Sequence, residues 1–390
     1  MRCILLSIVL SFAIGLAAQN GIDGFLRLVE NNNKELLAAI NLLETKKIGF
    51  RTDINPDNPK VGYGNFPGTK SDYGHKSHFS ISQSFEFPTI YATKRKIADE
   101  KNTISNYEYQ QFRQELLLQA KLAYYDFIFL LKKKKEISKR LQHSGQLFQS
   151  YKTGFDMGNV SVLDVNKAKI QFLKAKSNYE LTKQKLQSKI KELELFIADD
   201  LQISKDTLYS NISAEILDTV LAGMHKTDPQ LLWIAQNRVI AQMNIKLKKQ
   251  EILPNFEISY EREYEPAASF SGFKAEISIP LWQNKNTVKL AKAQAQYAGH
   301  QAKALYIKRI NEIEKLYEQK NEYGNLLQEY SKTLENAGNL RYLEKALEMG
   351  QLSIIDYFNE LSFFYNSIDE YLKIEKEYYK TDARLNSFKL

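Results

Sequence analysis

Asp156-Met157-Gly158-Asn159-Val160-Ser161-Val162-Leu163-Asp164 is written a second time, 192 residues on, as Glu348-Met349-Gly350-Gln351-Leu352-Ser353-Ile354-Ile355-Asp356. At the same offset Phe85-Glu86-Phe87-Pro88 lines up with Ile277-Ser278-Ile279-Pro280, and with a three-residue slip Glu35-Leu36-Leu37 lines up with Gln230-Leu231-Leu232. Each half therefore carries Met-Gly-x-x-Ser-x-x-Asp at one distance from an alternating segment that ends in proline. A period this long marks duplication of a whole supersecondary unit rather than a short solenoid module. The expected organisation is a removable segment over 1–18, a first repeat over 19–205 and a second over 206–390.

The eight prolines stand at 56, 59, 67, 88, 229, 254, 266 and 280, so 89–228 and 281–390 are free of them and can hold long unbroken helices. Ile354, Phe358, Leu361, Tyr365, Ile368 and Leu372 step by four and three, a coiled-coil seam. Leu117, Ala120, Tyr124, Phe127 and Leu131 make a similar run in the first half. A helix from about 92 to 147 would be ~80 Å long, more than a globular domain needs. Tyr357, Phe364, Tyr371 and Tyr378 recur every seven residues, as interhelical packing does.

Between the helical stretches the pattern has period two. Phe79, Ile81, Phe85 and Phe87 alternate with serines and Glu86; Phe256, Ile258, Tyr260 and Tyr264 alternate with Glu257, Ser259, Glu261 and Glu263; Phe273, Ala275, Ile277, Ile279 and Leu281 alternate with Lys274, Glu276 and Ser278. A Gly-rich fourth candidate lies at Lys60–Phe66. Strands of about 9–11 residues with one apolar face suit a membrane barrel, lipid outside and water inside. The same alternation also suits an amphipathic sheet in a soluble domain. Four strands cannot close a barrel, and open edges are not tolerated in hydrocarbon. Two copies would give about eight strands, whose interior side chains largely fill, whereas three would give about twelve and leave a duct.

Composition narrows the class. Arg2, the apolar run Ile4–Leu16 and the small residues Ala17 and Ala18 have the order of a secretory signal, too short to span a bilayer, with cleavage expected after Ala17 or Ala18. The only cysteine, Cys3, would leave with it, which suits a bacterial envelope protein that does without disulfides. The net charge of +8 arises from 54 basic and 46 acidic residues, a mixture typical of solvated helix faces rather than of a nucleic-acid stripe. No nucleophile–base motif, phosphate loop or Cys/His cluster appears, so an enzyme is not expected and no cofactor is implied. His75 and His78 are three apart at a loop without further ligands nearby, a surface pair rather than a metal site.

Over essentially the whole mature chain these features resemble the TolC-like outer-membrane factor family. The resemblance is carried by Asn31-Asn32-Asn33-Lys34-Glu35-Leu36, the strand ends at Pro88 and Pro280, Leu253-Pro254-Asn255-Phe256, and the two Gly-x-x-Ser-x-x-Asp turns. It implies a mainly α fold with membrane β: duplicated helix–strand–strand–helix units, long coiled-coil helices forming a trimeric α-barrel, and a shared twelve-strand β-barrel with four strands per chain. It implies an outer-membrane location with helices reaching into the periplasm. The implied partners are two further copies, a periplasmic adaptor, an inner-membrane pump of the RND type and outer-membrane lipid. Phe79, Ile81, Phe85, Phe87, Phe256, Ile258, Phe273, Ile277 and Ile279 are then the lipid-facing strand residues.

The turns attract most functional interest. Gly154, Gly158 and Gly350 stand where backbone must turn tightly or left-handed, and Ser161 and Ser353 where a hydroxyl caps the returning helix. They either build the turn alone or also form the periplasmic entrance and adaptor-docking surface. In the family an aspartate six residues after the second glycine projects into the closed entrance. That position is Asp356, matched by Asp164 in the first half, so three copies would ring the axis with carboxylates. A second acidic ring found in some relatives would fall on Asn359, and a basic lock residue on Leu352; neither type is present here. Ser82–Tyr91 resembles branches that accompany heavy-metal-cation pumps. Passive export of substrate is the function these features favour; a periplasmic coiled-coil tether or chaperone without a pore is the alternative.

Overall fold

A computed structural model describes residues 21–70, 72, 74–199, 208–209, 212, 214–336 and 339–390. The expected signal segment and the expected junction of the halves at 205–206 lie outside these residues. In chain order the elements are α1 (Ile22–Asn32), α2 (Lys34–Gly49), β1 (Lys60–Pro67), β2 (His75–Phe85), α3 (Pro88–Asp156), α4 (Val162–Ile197), α5 (Leu217–Thr227), α6 (Pro229–Gln250), β3 (Asn255–Glu265), β4 (Ala268–Ser278), α7 (Thr287–Asn336), α8 (Asn339–Glu348) and α9 (Ile354–Leu385). The order helix pair, strand pair, long helical hairpin therefore occurs twice. α3 runs for 69 residues, longer than the alternation of its seam predicted, because nothing between Pro88 at its start and the turn at Gly158 interrupts it.

Two compact units divide the chain, each drawing on both halves. Among the described residues, one comprises those up to Lys34, those within Leu116–Ala214 and those within Leu316–Ser387; the other comprises those within Glu35–Glu115, Glu215–Lys315 and Phe388–Leu390. In the first unit most of the predicted seam is buried, Leu117, Ala120, Tyr124 and Phe127 on α3 and Ile354, Phe358, Leu361 and Leu372 on α9, while Leu131, Tyr365 and Ile368 are half-buried. Tyr357, the first of the seven-residue aromatics, is fully buried there. Polar pairs join the same helices, Lys132 to Glu375 at 2.6 Å and Arg140 to Asp369 at 2.8 Å, with the Arg140 guanidinium over the Tyr365 ring.

The second unit holds a smaller core of Ile97, Ile104 and Ile240, with Trp233, Met243 and Leu247 against it. Asp228 caps α6 by accepting from the Gln230 amide at 2.9 Å, ahead of Pro229 at the first helical position, and pairs with Arg309 Nε at 2.8 Å. The sheet belongs to this unit. Its order is β1-β2-β3-β4, antiparallel throughout, so among the described residues β1 and β4 are edges.

Register sorts the strand residues onto two faces. One row crosses Phe85, Phe256 and Ile277; the next, Gln83, Ile258 and Ala275; the third, Val61, Ile81, Tyr260 and Phe273. The opposite face carries Ser80, Ser82, Ser84, Glu257, Ser259, Glu261, Glu263, Lys274 and Glu276. The apolar face is bare: Phe273 is 85% exposed and Ile277 61%. No helix among the described residues is long and apolar enough to cross a membrane.

Candidate functional site

Each helical hairpin turns the same way, and the reason is local. After α3 the Asn159 amide donates to the Gly154 carbonyl at 2.8 Å and the Gly158 amide to the Phe155 carbonyl at 2.9 Å. After α8 the Gln351 amide donates to Ala346 at 2.9 Å and the Gly350 amide to Leu347 at 3.0 Å. This paired six-to-one and five-to-two pattern needs a left-handed residue just past the helix, and Gly158 (φ 78°) and Gly350 (φ 68°) supply it. Gly154 does not. It sits inside α3, and its value is space, since a Cβ there would stand 2.6 Å from Val160 Cγ2. The left-handed expectation for Gly154 is thus corrected to one of close approach.

Three residues beyond each cap serine the two aspartates are bound into the returning helix. The Asp164 amide donates to Ser161 Oγ at 3.2 Å while that hydroxyl donates to Asp164 Oδ2 at 2.7 Å. The Asp356 amide and carboxylate make the same pair with Ser353, at 3.2 and 2.6 Å. Lys167 Nζ also reaches Asp164 Oδ1 at 3.0 Å. The Ser161 hydroxyl first, and then Lys167, hold the Asp164 carboxyl below its ordinary value. Carboxylates in a first helical turn also meet the positive end of the helix dipole. Asp356 is exposed, as are Asn359 and Glu360. Glu360, one turn along α9 from Asp356, adds a carboxylate on that exposed side; motif spacing points only to Asn359 and so misses it, although a four-residue helical step from Asp356 finds it.

The turns are backed by packing between the hairpins. Ala168 of α4 and Ile354, Tyr357, Phe358 and Leu361 of α9 form one buried cluster, with Leu147, Phe148, Leu343 and Leu347 against it. His143 of α3 lies beside the cluster, its Nε2 3.0 Å from the Tyr357 hydroxyl and 3.2 Å from Glu344.

The strand candidates divide. Phe79, Ile81, Phe85, Phe256, Ile258, Phe273 and Ile277 share one face of the sheet. Phe87 and Ile279 fall just past β2 and β4, because the chain leaves the ladder ahead of Pro88 and Pro280; the Phe87 ring still meets Phe256 at 6.2 Å. Glu86 likewise leaves the strand pattern and pairs with Lys94 of α3 at 2.6 Å. His75 and His78 are in β2 rather than on irregular backbone, and their three-residue spacing sends them to opposite faces, so they cannot converge on one ion. Among the described residues no group of three or more His, Cys, Asp or Glu is placed to hold a metal.

Four antiparallel strands with one bare apolar face, two prolonged hairpins and twin capped turns are an arrangement with solved counterparts. CusC superposes with a TM-score of 0.80 at 12% identity, covering 94% of this chain and 91% of its own. The outer-membrane protein VceC of Vibrio cholerae superposes at 0.77 with 11% identity, over 94% and 95% of the two chains. The outer-membrane channel CmeC of Campylobacter jejuni gives 0.73 at 14%, over 94% and 85%. The chain has the TolC-like outer-membrane channel fold. At such identities the likeness is one of fold. No family model matches the chain, and no curated protein matches its sequence.

Proposed function

We propose that the chain is one protomer of a homotrimeric export channel in the bacterial outer membrane, conducting substrate passively from the periplasm to the exterior. One observation carries this reading: a four-stranded sheet with a bare apolar face, a polar opposite face and two unpaired edges. In a bilayer each such edge must be paired, and another copy's opposite edge is the available partner, β4 against β1. Three copies close about twelve strands around a water-filled lumen. The coiled-coil helices of the copies extend this duct through the periplasm as an α-helical barrel.

In this reading the Gly158 and Gly350 turns are the periplasmic end, where an adaptor docks and an inner-membrane pump of the RND type supplies the energy. Asp356 and Glu360 then ring the entrance, and Asp164 holds the first hairpin's cap. The polar sheet face, with Glu257, Glu261, Glu263, Glu265 and Glu276 against Lys60, Lys76 and Lys274, lines the lumen and favours cations. Heavy-metal cations are the cargo class we assign, from the wording of Ser82–Tyr91 and this acidic wall. The deciding experiment is reconstitution of the mature protein in planar bilayers. A heat-modifiable trimer with cation-preferring conductance is expected. A monomer that stays water-soluble without detergent and conducts nothing would instead identify a periplasmic coiled-coil tether.

A further inference from the structure

The alternation along β3 skips one position. Phe256, Ile258, Tyr260 and Tyr264 share the apolar face, and the residue between the last two is Arg262. Register sets it in the fourth row of that face, beside Phe79 of β2 and Ser271 of β4. Of all strand residues on this face, Arg262 alone carries a permanent charge. Among the described residues no carboxylate pairs with it, since every glutamate of β3 and β4 points to the opposite face, where Lys76 and Lys274 meet them.

The row beyond Arg262 also lacks carboxylates and is rich in hydroxyls: Ser77, Tyr264 and Ser269 follow one another across the sheet, next to Ser271. Toward the helices the face is Phe, Ile and Tyr; toward the β3–β4 turn it is hydroxyls around one guanidinium. Arg262 lies about 20 Å along β3 from Phe256, the distance over which a tilted strand crosses most of an apolar band. A guanidinium costs least at such a border, and its planar fork matches phosphate oxygens. Arg262 is on an inner strand, with β4 between it and any copy joined at that edge, so a neighbouring protomer is not its natural partner.

We propose that Arg262, with Tyr264 and Ser271, binds the phosphate headgroup of a lipid in the outer leaflet of the membrane. The proposal rests on the membrane placement given above. It joins a cation without an anion on its face to the one anion abundant at that depth.

The test uses the mature protein reconstituted into phosphatidylcholine vesicles doped with lipid A, then extracted gently for native mass spectrometry. Wild-type protein is expected to retain lipid A, and Arg262→Gln to retain about tenfold less. Arg262→Lys should fall between, as a point charge without the fork. Lys303→Gln, which removes an exposed helical charge outside the sheet, should match wild type. Inorganic phosphate should not displace the lipid. Equal retention by wild type and Arg262→Gln, no retention by inserted wild type, or displacement by inorganic phosphate would each overturn the lipid site while leaving the channel reading intact. Failure of wild type to insert at all would remove both.

Discussion

Asp164 and Asp356 each do local work before any work on a passing ion. A carboxylate that accepts from the cap hydroxyl and sits at a helix start stabilises the turn that presents it. Ser353→Ala should cost about 1 kcal/mol of stability, read as a lowered melting temperature. The first turn adds a pH signature. Because the folded carboxyl of Asp164 lies below its ordinary value of 3.8, the stabilisation is present above that pH and disappears as pH falls through the lowered value. The melting difference between wild type and Asp164→Asn should therefore be larger at neutral pH than in acid, and a difference independent of pH would refute the ionised cap. Gly350→Ala should destabilise by about 1–2 kcal/mol through its left-handed backbone, with open space around it. For Gly154→Ala the cause is the clash with Val160 instead.

At the scale of elements, caps and cross-helix pairs set where the long segments begin and what they touch. Asp228 serves both ends of that argument, capping α6 and pairing with Arg309 of α7 with only 2% of its own side chain exposed. Asp228→Ala removes the α6 cap and one of the two carboxylates that meet Arg309, which keeps Glu312 at 2.9 Å, and a loss of about 1–3 kcal/mol in denaturant unfolding is expected. The sheet makes a different demand, because its two faces meet different solvents in the proposed state. Ile277→Lys should reduce the yield of assembled trimer, since a midplane lysine on a lipid face costs roughly 2–4 kcal/mol. Glu276→Lys, one residue away on the polar face, should assemble normally while weakening cation preference. Equal assembly of the two variants would contradict the assignment of faces.

For the whole molecule the proposed state is an oligomer. Among the described residues the sheet has two free edges and a bare apolar face; in the proposed ring of copies one repeated contact pairs the edges, while the apolar face meets lipid. We propose that the halves 19–205 and 206–390 descend from one duplicated unit. Replacing Asp356 and Glu360 together by their amides should lower cation selectivity in single-channel recordings. Unchanged reversal potentials in a salt gradient would show that the carboxylates only cap and solvate α9.

Long proline-free runs, period-two strands and matched Gly-x-x-Ser-x-x-Asp turns are local features, governed by residues a few positions apart, and the amino-acid order alone makes them legible. From them follow the elements, the duplicated order and the left-handed glycines at 158 and 350. What pairs with what is not legible in that order. The seam at Ile354–Leu372 does not say which helix it buries against, and the alternation of β3 does not say that Arg262 faces away from every glutamate. Those are set by strand register and by packing between segments more than a hundred residues apart, where a shift of one residue would exchange the two faces of the sheet.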